Sequence, residues 1–91
     1  MALFTNEQIT TELQSLDGWI IDENTLCTTY DLGDFIHAMG FVNSVALLAE
    51  KANHHPDIII QWNKVSLSLS THSEGGLTEK DFALAHQIEA L

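Results

Sequence analysis

A strict alternation of apolar residues with serines over residues 65–70 constrains the fold of this 91-residue chain more than any other feature. The apolar positions are Val65, Leu67 and Leu69, and the serines are Ser66, Ser68 and Ser70. Because successive side chains of a β-strand point to opposite sides, a period of two gathers the apolar groups on one face. The segment therefore predicts a strand with one face in a hydrophobic core and one polar face.

The apolar run immediately before this strand, residues 58–62, predicts its antiparallel partner. We expect Asn63 and Lys64 to form a two-residue turn between the two strands. The side chains that then face one another are Trp62 and Val65, Ile60 and Leu67, and Ile58 and Leu69. All three pairs are apolar, so this face should pack against helices. On the other, mostly polar face, Ile59 is a candidate contact for a second subunit.

Three segments predict helices from apolar spacings of three and four residues. The first begins with a capping box between Thr5 and Gln8 and ends at the Asp-Gly of residues 17–18. The second begins after residues 33–34 and ends near Asn53. Its expected core face comprises Phe35, Met39, Val42, Val45, Ala46, Ala49 and Ala52. The third begins with a capping box in residues 78–81 and carries Phe82, Leu84, Ala85, Ile88 and Leu91.

Residues 19–21 and 26–30 predict a hairpin between the first two helices, because they are rich in β-branched and aromatic side chains. The order of elements is then α-β-β-α-β-β-α. That order is typical of an α+β domain, a four-stranded antiparallel sheet with three helices packed on one face. We expect a single domain over residues 1–91. Its small size favours stabilisation by self-association, as a homodimer or homotetramer.

Charge and composition exclude several classes of partner. The chain has 13 acidic and three basic residues, and its net charge of −10 would repel the phosphate backbone of a nucleic acid. No apolar stretch approaches the roughly 18 residues needed to cross a bilayer, and the N-terminus lacks a signal-peptide pattern. The single cysteine, Cys27, can form no intramolecular disulfide. We therefore expect a cytoplasmic protein without a membrane or nucleic-acid partner.

Five histidines are many for 91 residues, and three of them flank the predicted second hairpin. His54 and His55 precede its first strand, and His72 follows its second. In an antiparallel pair the start of one strand lies beside the end of the other, so these three imidazoles can line one cleft. Imidazole, with an unperturbed pKa of about 6.5, can donate and accept protons near neutral pH. The sequence thus predicts an acid–base cleft, with Glu50 or Asp81 orienting a ring.

Other interpretations of these residues stay open. The His-His-Pro segment could satisfy the last carbonyls of the second helix, and three histidines with a carboxylate could bind zinc. Adjacent side chains on extended backbone diverge, which disfavours zinc, and we expect no metal site. Asp81 could serve only as a helix cap, and Glu50 could simply be solvated. His37 and His86 lie within helical patterns and are expected at the surface or in packing contacts.

Four blocks carry a resemblance to a known family. They are residues 50–56 (Glu-Lys-Ala-Asn-His-His-Pro), 62–65 (Trp-Asn-Lys-Val), 70–72 (Ser-Thr-His) and 75–81 (Gly-Gly-Leu-Thr-Glu-Lys-Asp). In these blocks, which occur in the right order, the chain closely resembles the pterin-4a-carbinolamine dehydratase family. Residues 18–19 and the second helix also look like the family, so the resemblance covers nearly the whole length.

The resemblance implies the same α+β fold and a hydro-lyase activity, the dehydration of 4a-hydroxytetrahydropterin to quinonoid dihydropterin. It implies catalysis by His54, His55 and His72 without a metal or organic cofactor. We assign the first and last of these to the acid–base pair and His55 to positioning the pterin. Substrate contacts are implied for Glu50, Pro56, Thr71, Ser73, Glu74 and Asp81. The family's substrate is left by aromatic amino acid hydroxylases, which implies a functional link to such an enzyme in tetrahydrobiopterin recycling.

Two departures from the family pattern lie outside the histidine set. Many relatives have an aromatic residue soon after Pro56, where this chain has three isoleucines, and a tyrosine is commoner where Trp62 stands. Both positions are expected on strand faces, so they concern packing and assembly. Some family members act as dimerisation partners of a transcription factor. A coactivator-type protein-binding module without turnover is therefore the alternative function.

Overall fold

The predicted order of helices and strands is confirmed by the computed structural model, which describes residues 1–91. The elements are α1 (Asn6–Leu13), β1 (Ile20–Asp22), β2 (Thr25–Asp31), α2 (Phe35–Ala52), β3 (Asp57–Gln61), β4 (Lys64–Leu69) and α3 (Glu79–Glu89). A short 3-10 helix, His72–Glu74, lies between β4 and α3. The antiparallel strands lie in the order β1-β2-β4-β3, with the three helices on one face. None of the helices has both the length and the apolar character needed to cross a membrane.

The hydrophobic core lies between the helices and the face of the sheet that the alternation in β4 predicts. Val65, Leu67 and Leu69 are all fully buried in it. The serines of β4 lie on the opposite face, where the hydroxyls of Ser66 and Thr29 are 2.9 Å apart. Burying one aliphatic side chain contributes about 1.5–3 kcal/mol, so β4 is the strand that anchors the sheet to the helices.

The register of the β3–β4 hairpin differs from the prediction by two residues. Ile58 pairs with Leu67, and Trp62, expected on the strand, lies in the turn with a φ of 58° and is 74% exposed. A shift of two residues leaves Ile58 and Ile60 on their predicted face, so the apolar pattern of the strands cannot distinguish the two registers. A contact with the end of β2 holds the turn instead, since Asn63 Nδ2 donates to Asp31 Oδ1 over 2.7 Å. The turn therefore begins one residue earlier than expected.

The core face of α2 also differs in part from the prediction. Val45 and Ala49 are buried as expected, but Ala38 is buried in place of Phe35, which is 51% exposed. The other expected positions are half-buried (Met39, Val42) or exposed (Ala46, Ala52). Because α2 is apolar over most of its circumference, spacings of three and four fit two neighbouring stripes. The stripe with the small alanines faces inward, where α2 lies close to α3 and β4.

The C-terminal end of α2 determines where the first two histidines point. Asn53 follows the last turn in the left-handed conformation, with a φ of 49°. Its N–H donates to the Glu50 carbonyl over 3.2 Å, and the N–H of His54 donates to the Ala49 carbonyl over 3.1 Å. This pair of bonds is a Schellman motif, which reverses the chain at a helix end. The backbone therefore turns sharply between α2 and His55.

Candidate active site

His54 forms a buried pair with Asp81, which joins the end of α2 to the start of α3. His54 Nε2 lies 2.6 Å from Asp81 Oδ1, and the exposed fractions are 9% for the histidine and 0% for the aspartate. Asp81 Oδ2 also accepts the N–H of Thr78 over 2.9 Å, so the predicted capping box is confirmed. Asp81 is thus a helix cap and the partner of an imidazole at the same time.

A third hydrogen bond to the Asp81 carboxylate comes from Thr71, whose Oγ1 donates to Oδ2 over 2.8 Å. Three donors therefore converge on one buried carboxylate. A charge away from water is tolerated when it is paired and hydrogen-bonded, and this environment provides both conditions. Because a carboxylate can only accept, His54 donates its Nε2–H, and Nδ1 is the ring nitrogen left for another partner.

His55 pairs with Glu50 at the surface. His55 Nε2 and Glu50 Oε2 are 2.5 Å apart, and both side chains are more than half exposed. Glu50 precedes His54 by four residues, a spacing that would place the two side chains side by side on a continuous helix. The left-handed turn at Asn53 instead directs His54 to α3 and brings the next ring back to Glu50. An exposed pair contributes only about 0–1 kcal/mol, so its main effect is to orient the His55 ring.

His72 begins the 3-10 helix after β4, and its ring is exposed. The loop that carries it is folded back on itself, because the Thr71 N–H donates to the Gly76 carbonyl over 2.8 Å. Gly75 within the loop has a φ of 75°, a conformation that glycine adopts without steric cost. The four histidine–carboxylate pairs of the protein involve the other four histidines. His72 is therefore the one imidazole without a carboxylate partner.

The end of α2 and the loop after β4 form a cleft of about 300 Å³. Its lining residues are Asn53, His54, His55, Ser70, Thr71, His72, Ser73 and Lys80. All three histidines predicted for the site meet there, together with the predicted Thr71 and Ser73. Glu50 and Asp81 contact two of the rings from outside the lining. Pro56 and Glu74 are not among the lining residues.

Lys80 was missed by the reasoning from sequence, and Thr78, which contacts Thr71 and Asp81 outside the lining, was predicted only as a helix cap. Lys80 lines the cleft from the first turn of α3, where the helix dipole disfavours a cation. That placement, in a chain with only three basic residues, was the available signal. Although the net charge is −10, no acidic side chain lines the cleft. The cleft is therefore lined by imidazoles, hydroxyls, an amide and one ammonium group.

The two histidines expected outside the site lie elsewhere on the surface, as predicted. His37 pairs with Asp34 over 2.7 Å at the N-terminal end of α2, and His86 of α3 pairs with Glu12 of α1 over 3.0 Å. The His37 N–H also donates to Asp34, which lowers the pKa of that carboxyl. These pairs connect or cap helices and do not reach the cleft.

Fold and site together define an α+β protein with a cleft lined by three histidines, one of which pairs with a buried aspartate. The profile of the family described as Pterin 4 alpha carbinolamine dehydratase matches residues 2–91. The chain belongs to that family, which confirms the resemblance in its sequence.

Individual relatives agree with this assignment. A protein of Roseiflexus castenholzii, whose name places it provisionally among the pterin-4-alpha-carbinolamine dehydratases, is 51% identical over 99% of this chain and 97% of its own length. A protein of Acidobacterium capsulatum with the same name is 50% identical over 100% of this chain and 99% of its own length.

Two solved structures share the fold. The crystal structure of a transcriptional coactivator/pterin dehydratase from Brucella melitensis superposes with a TM-score of 0.92 at 35% identity, covering 98% of this chain and 97% of that one. A pterin dehydratase-like protein described as a RuBisCO assembly factor in the alpha-carboxysome gives a TM-score of 0.66 at 22% identity, over 79% and 83% of the two chains. At that identity the second likeness shows the fold alone.

Proposed function

We propose that this protein removes water from a pterin 4a-carbinolamine, converting 4a-hydroxytetrahydropterin to quinonoid dihydropterin. The observation that carries the proposal is the buried Asp81–His54 pair at a cleft that also holds His55 and His72. Family membership supports the choice of substrate, since the residues alone indicate only proton transfer.

The reaction breaks the bond between C4a and its hydroxyl oxygen and needs two proton movements. The departing hydroxyl takes up a proton and leaves as water, while the lone pair of the adjacent ring nitrogen forms a double bond to C4a. A proton is then lost from a ring nitrogen. Because the pterin supplies the electron pair, a correctly placed acid and base suffice. We propose no metal and no organic cofactor for this step.

We assign the base to His54 and the acid to His72. With its Nε2–H donated to Asp81, the neutral His54 ring presents the lone pair of Nδ1. A proton taken up there creates an imidazolium that pairs with the buried carboxylate of Asp81. His72 is exposed and has no carboxylate partner, so it can exchange protons with solvent and donate one to the departing hydroxyl.

The remaining predicted residues are assigned to substrate binding. His55, oriented by Glu50, positions the pterin ring, and Thr71 and Ser73 line the cleft beside it. Pro56 and Glu74 lie outside the lining, where they would contact any part of the substrate that extends beyond the cleft.

The proposal is tested with a stopped-flow assay on synthetic 4a-hydroxytetrahydropterin. His54→Ala and His72→Ala should each lower kcat by about 10²–10⁴-fold, the usual contribution of a general acid or base. His37→Ala is the matched control. His37 is exposed and lies outside the cleft, but like His54 it has an aspartate partner. Thermal unfolding of each variant verifies that it is folded.

Two results would contradict the proposal. If the wild-type protein does not accelerate the reaction over buffer, the activity is wrong. If both variants keep wild-type rates, the activity stands but its assignment to these histidines is wrong.

We further propose that the protein works in the cytoplasm as a homodimer or homotetramer and recycles tetrahydrobiopterin for an aromatic amino acid hydroxylase. Support for self-association comes from Ile20 and Ile59, which are 61% and 56% exposed on the face of the sheet opposite the helices. Light scattering of wild type and Ile59→Lys tests this surface. Loss of the oligomer in the variant is expected, and an unchanged mass would exclude that face as the interface.

The alternative function, a protein-binding module, is supported by the outer side of α2. Ile36 and Leu47 are 80% and 74% exposed there, and large exposed apolar groups favour protein contacts. The Brucella melitensis protein of the same fold is described as a transcriptional coactivator/pterin dehydratase. If a Leu47→Glu variant loses binding to a partner protein but keeps dehydratase turnover, both functions are established. If the wild-type protein shows no turnover, protein binding is the only function left.

A further inference from the structure

We infer that Thr71 and Thr78 are positioning residues, which orient Asp81 and thereby hold His54 with Nε2–H directed inward and Nδ1 toward the cleft. The catalytic consequence of this arrangement rests on the proposed function. The orientation of the ring does not, and it can be measured separately.

The hydrogen-bond donors and acceptors in this group follow one direction. Because the Asp81 carboxylate can only accept, Thr71 gives its single hydroxyl proton to Oδ2. The Thr71 and Thr78 hydroxyl oxygens are 2.8 Å apart, so Thr78 must be the donor in that contact. Thr78 Oγ1 in turn accepts the backbone N–H of Lys80 over 3.3 Å. The chain of donors therefore runs from Lys80 through Thr78 and Thr71 to Asp81.

Because these residues are buried, their hydrogen bonds cannot be exchanged for bonds to water, and the order of donors and acceptors is fixed. Thr78 and Asp81 are 0% exposed, Thr71 is 6% exposed, and every buried polar side-chain atom of the protein has a hydrogen-bond partner. Water therefore cannot replace a hydroxyl of this group without a rearrangement. With Oδ2 occupied by Thr71 and the Thr78 N–H, Oδ1 is the oxygen that remains for His54.

The capping box of α1 shows what a cap alone requires. Thr5 Oγ1 accepts the Gln8 N–H over 3.1 Å, and Gln8 Oε1 accepts the Thr5 N–H over 2.8 Å. Both residues are exposed, the capping side chain is neutral, and no third side chain takes part. The box of α3 differs by a buried carboxylate, a second threonine and an imidazole. These additions are not needed to begin a helix, so they indicate a role at His54.

The orientation follows from these bonds. Two donors at Oδ2 fix the plane of the carboxylate and direct Oδ1 to Nε2 of His54. Without the Thr71 hydroxyl the carboxylate can rotate, and the neutral ring is no longer confined to the tautomer with its proton on Nε2. A mixture of tautomers lowers the fraction of molecules in which Nδ1 can accept a proton. The expected effect is therefore a fall in kcat that accompanies the change of tautomer, and at Thr78, which does not line the cleft, KM should stay unchanged.

The test compares Thr71→Val, Thr71→Ser and Thr5→Val. Nitrogen-15 NMR of the His54 ring distinguishes the two tautomers, and stopped-flow kinetics give kcat and KM. Thr71→Val should reduce the Nε2–H tautomer and lower kcat about tenfold, as expected for a lost hydrogen bond to a charged group. Thr71→Ser should rescue both quantities. Thr5→Val, which weakens the other capping box, should leave both at wild-type values.

A second variant separates positioning from loss of structure. Thr78→Ser keeps the hydroxyl and should resemble wild type, whereas Thr78→Ala should shift the tautomer in the same direction as Thr71→Val. If Thr71→Val does not fold, this Thr78 pair and Thr71→Ala provide the comparison.

The two proposals fail differently. A wild-type protein without turnover contradicts the dehydratase proposal, while a changed tautomer in the hydroxyl-free variants still supports the positioning role. If those variants keep the wild-type tautomer and kcat, the inference is overturned even when the enzyme is active.

Discussion

Replacing Asp81 by asparagine should reverse the proton donor and acceptor at His54 while leaving the shape of the site unchanged. The carboxamide has a single oxygen, which can keep the two bonds from Thr71 and Thr78 that Oδ2 accepts now. Its NH2 group then lies at Nε2 of His54, 2.6 Å away in the wild type. Because the amide nitrogen can only donate, the ring must accept at Nε2 and carry its proton on Nδ1. The proposed base becomes a donor.

The cost to activity should greatly exceed the cost to stability. In a serine protease the corresponding aspartate-to-asparagine change lowers kcat about 10⁴-fold through the wrong tautomer, and we expect about 10²–10⁴-fold here. Each bond that changes from a charged to a neutral acceptor loses about 1 kcal/mol, and removal of a buried charge offsets part of that loss. A net destabilisation of about 1–2 kcal/mol corresponds to a fall in Tm of roughly 5–15 °C for a domain of this size.

Three measurements on Asp81→Asn check this expectation: Tm by circular dichroism, kcat by stopped flow and the His54 tautomer by nitrogen-15 NMR. Asp34→Asn is the matched control, since Asp34 also caps a helix and contacts a histidine but is exposed and outside the cleft. It should leave kcat unchanged. A kcat within about threefold of wild type for Asp81→Asn, with the proton still on Nε2, would refute the tautomer argument.

Three further outcomes are expected. Lys80→Met should raise KM more than it lowers kcat, because it removes the one ammonium group that could donate to the pterin carbonyl oxygen, and Lys51→Met is the control. Glu50→Gln should change the free energy of unfolding by less than about 1 kcal/mol, since the pair is exposed, and urea titration measures this. Burial and the hydrogen bond to Glu89 raise the pKa of Tyr30, so the folded protein favours the neutral phenol. Stability from this group should be present below the unfolded pKa of about 10 and decrease above it. Phenolate absorbance of this single tyrosine should then appear at lower pH in Glu89→Gln.

The local pattern of residues was sufficient for the order of the elements and for the face that β4 buries. The alternation from Val65 to Ser70 allows only one inward face, and helix boundaries follow from capping side chains close in sequence, such as Thr5 with Gln8. Because β3 and β4 are consecutive in the chain, their pairing brought the three histidines to one end of a hairpin. These features depend on caps and strands that are close in sequence, so they are visible without the fold.

Pairings between distant parts of the chain followed from the folded protein alone. A register shifted by two residues keeps the same faces of β3 and β4 together, so the contact of Asn63 with β2 decided that Trp62 lies in the turn. An apolar helix can turn either of two stripes inward, and packing selected the one with Ala38. The carboxylate partners of His54 and His55 depended on the left-handed backbone at Asn53. Because of that turn, His54 pairs with an aspartate 27 residues away in the sequence. Spacing along the chain sets which residues can approach, but burial and the satisfaction of hydrogen bonds select which ones meet.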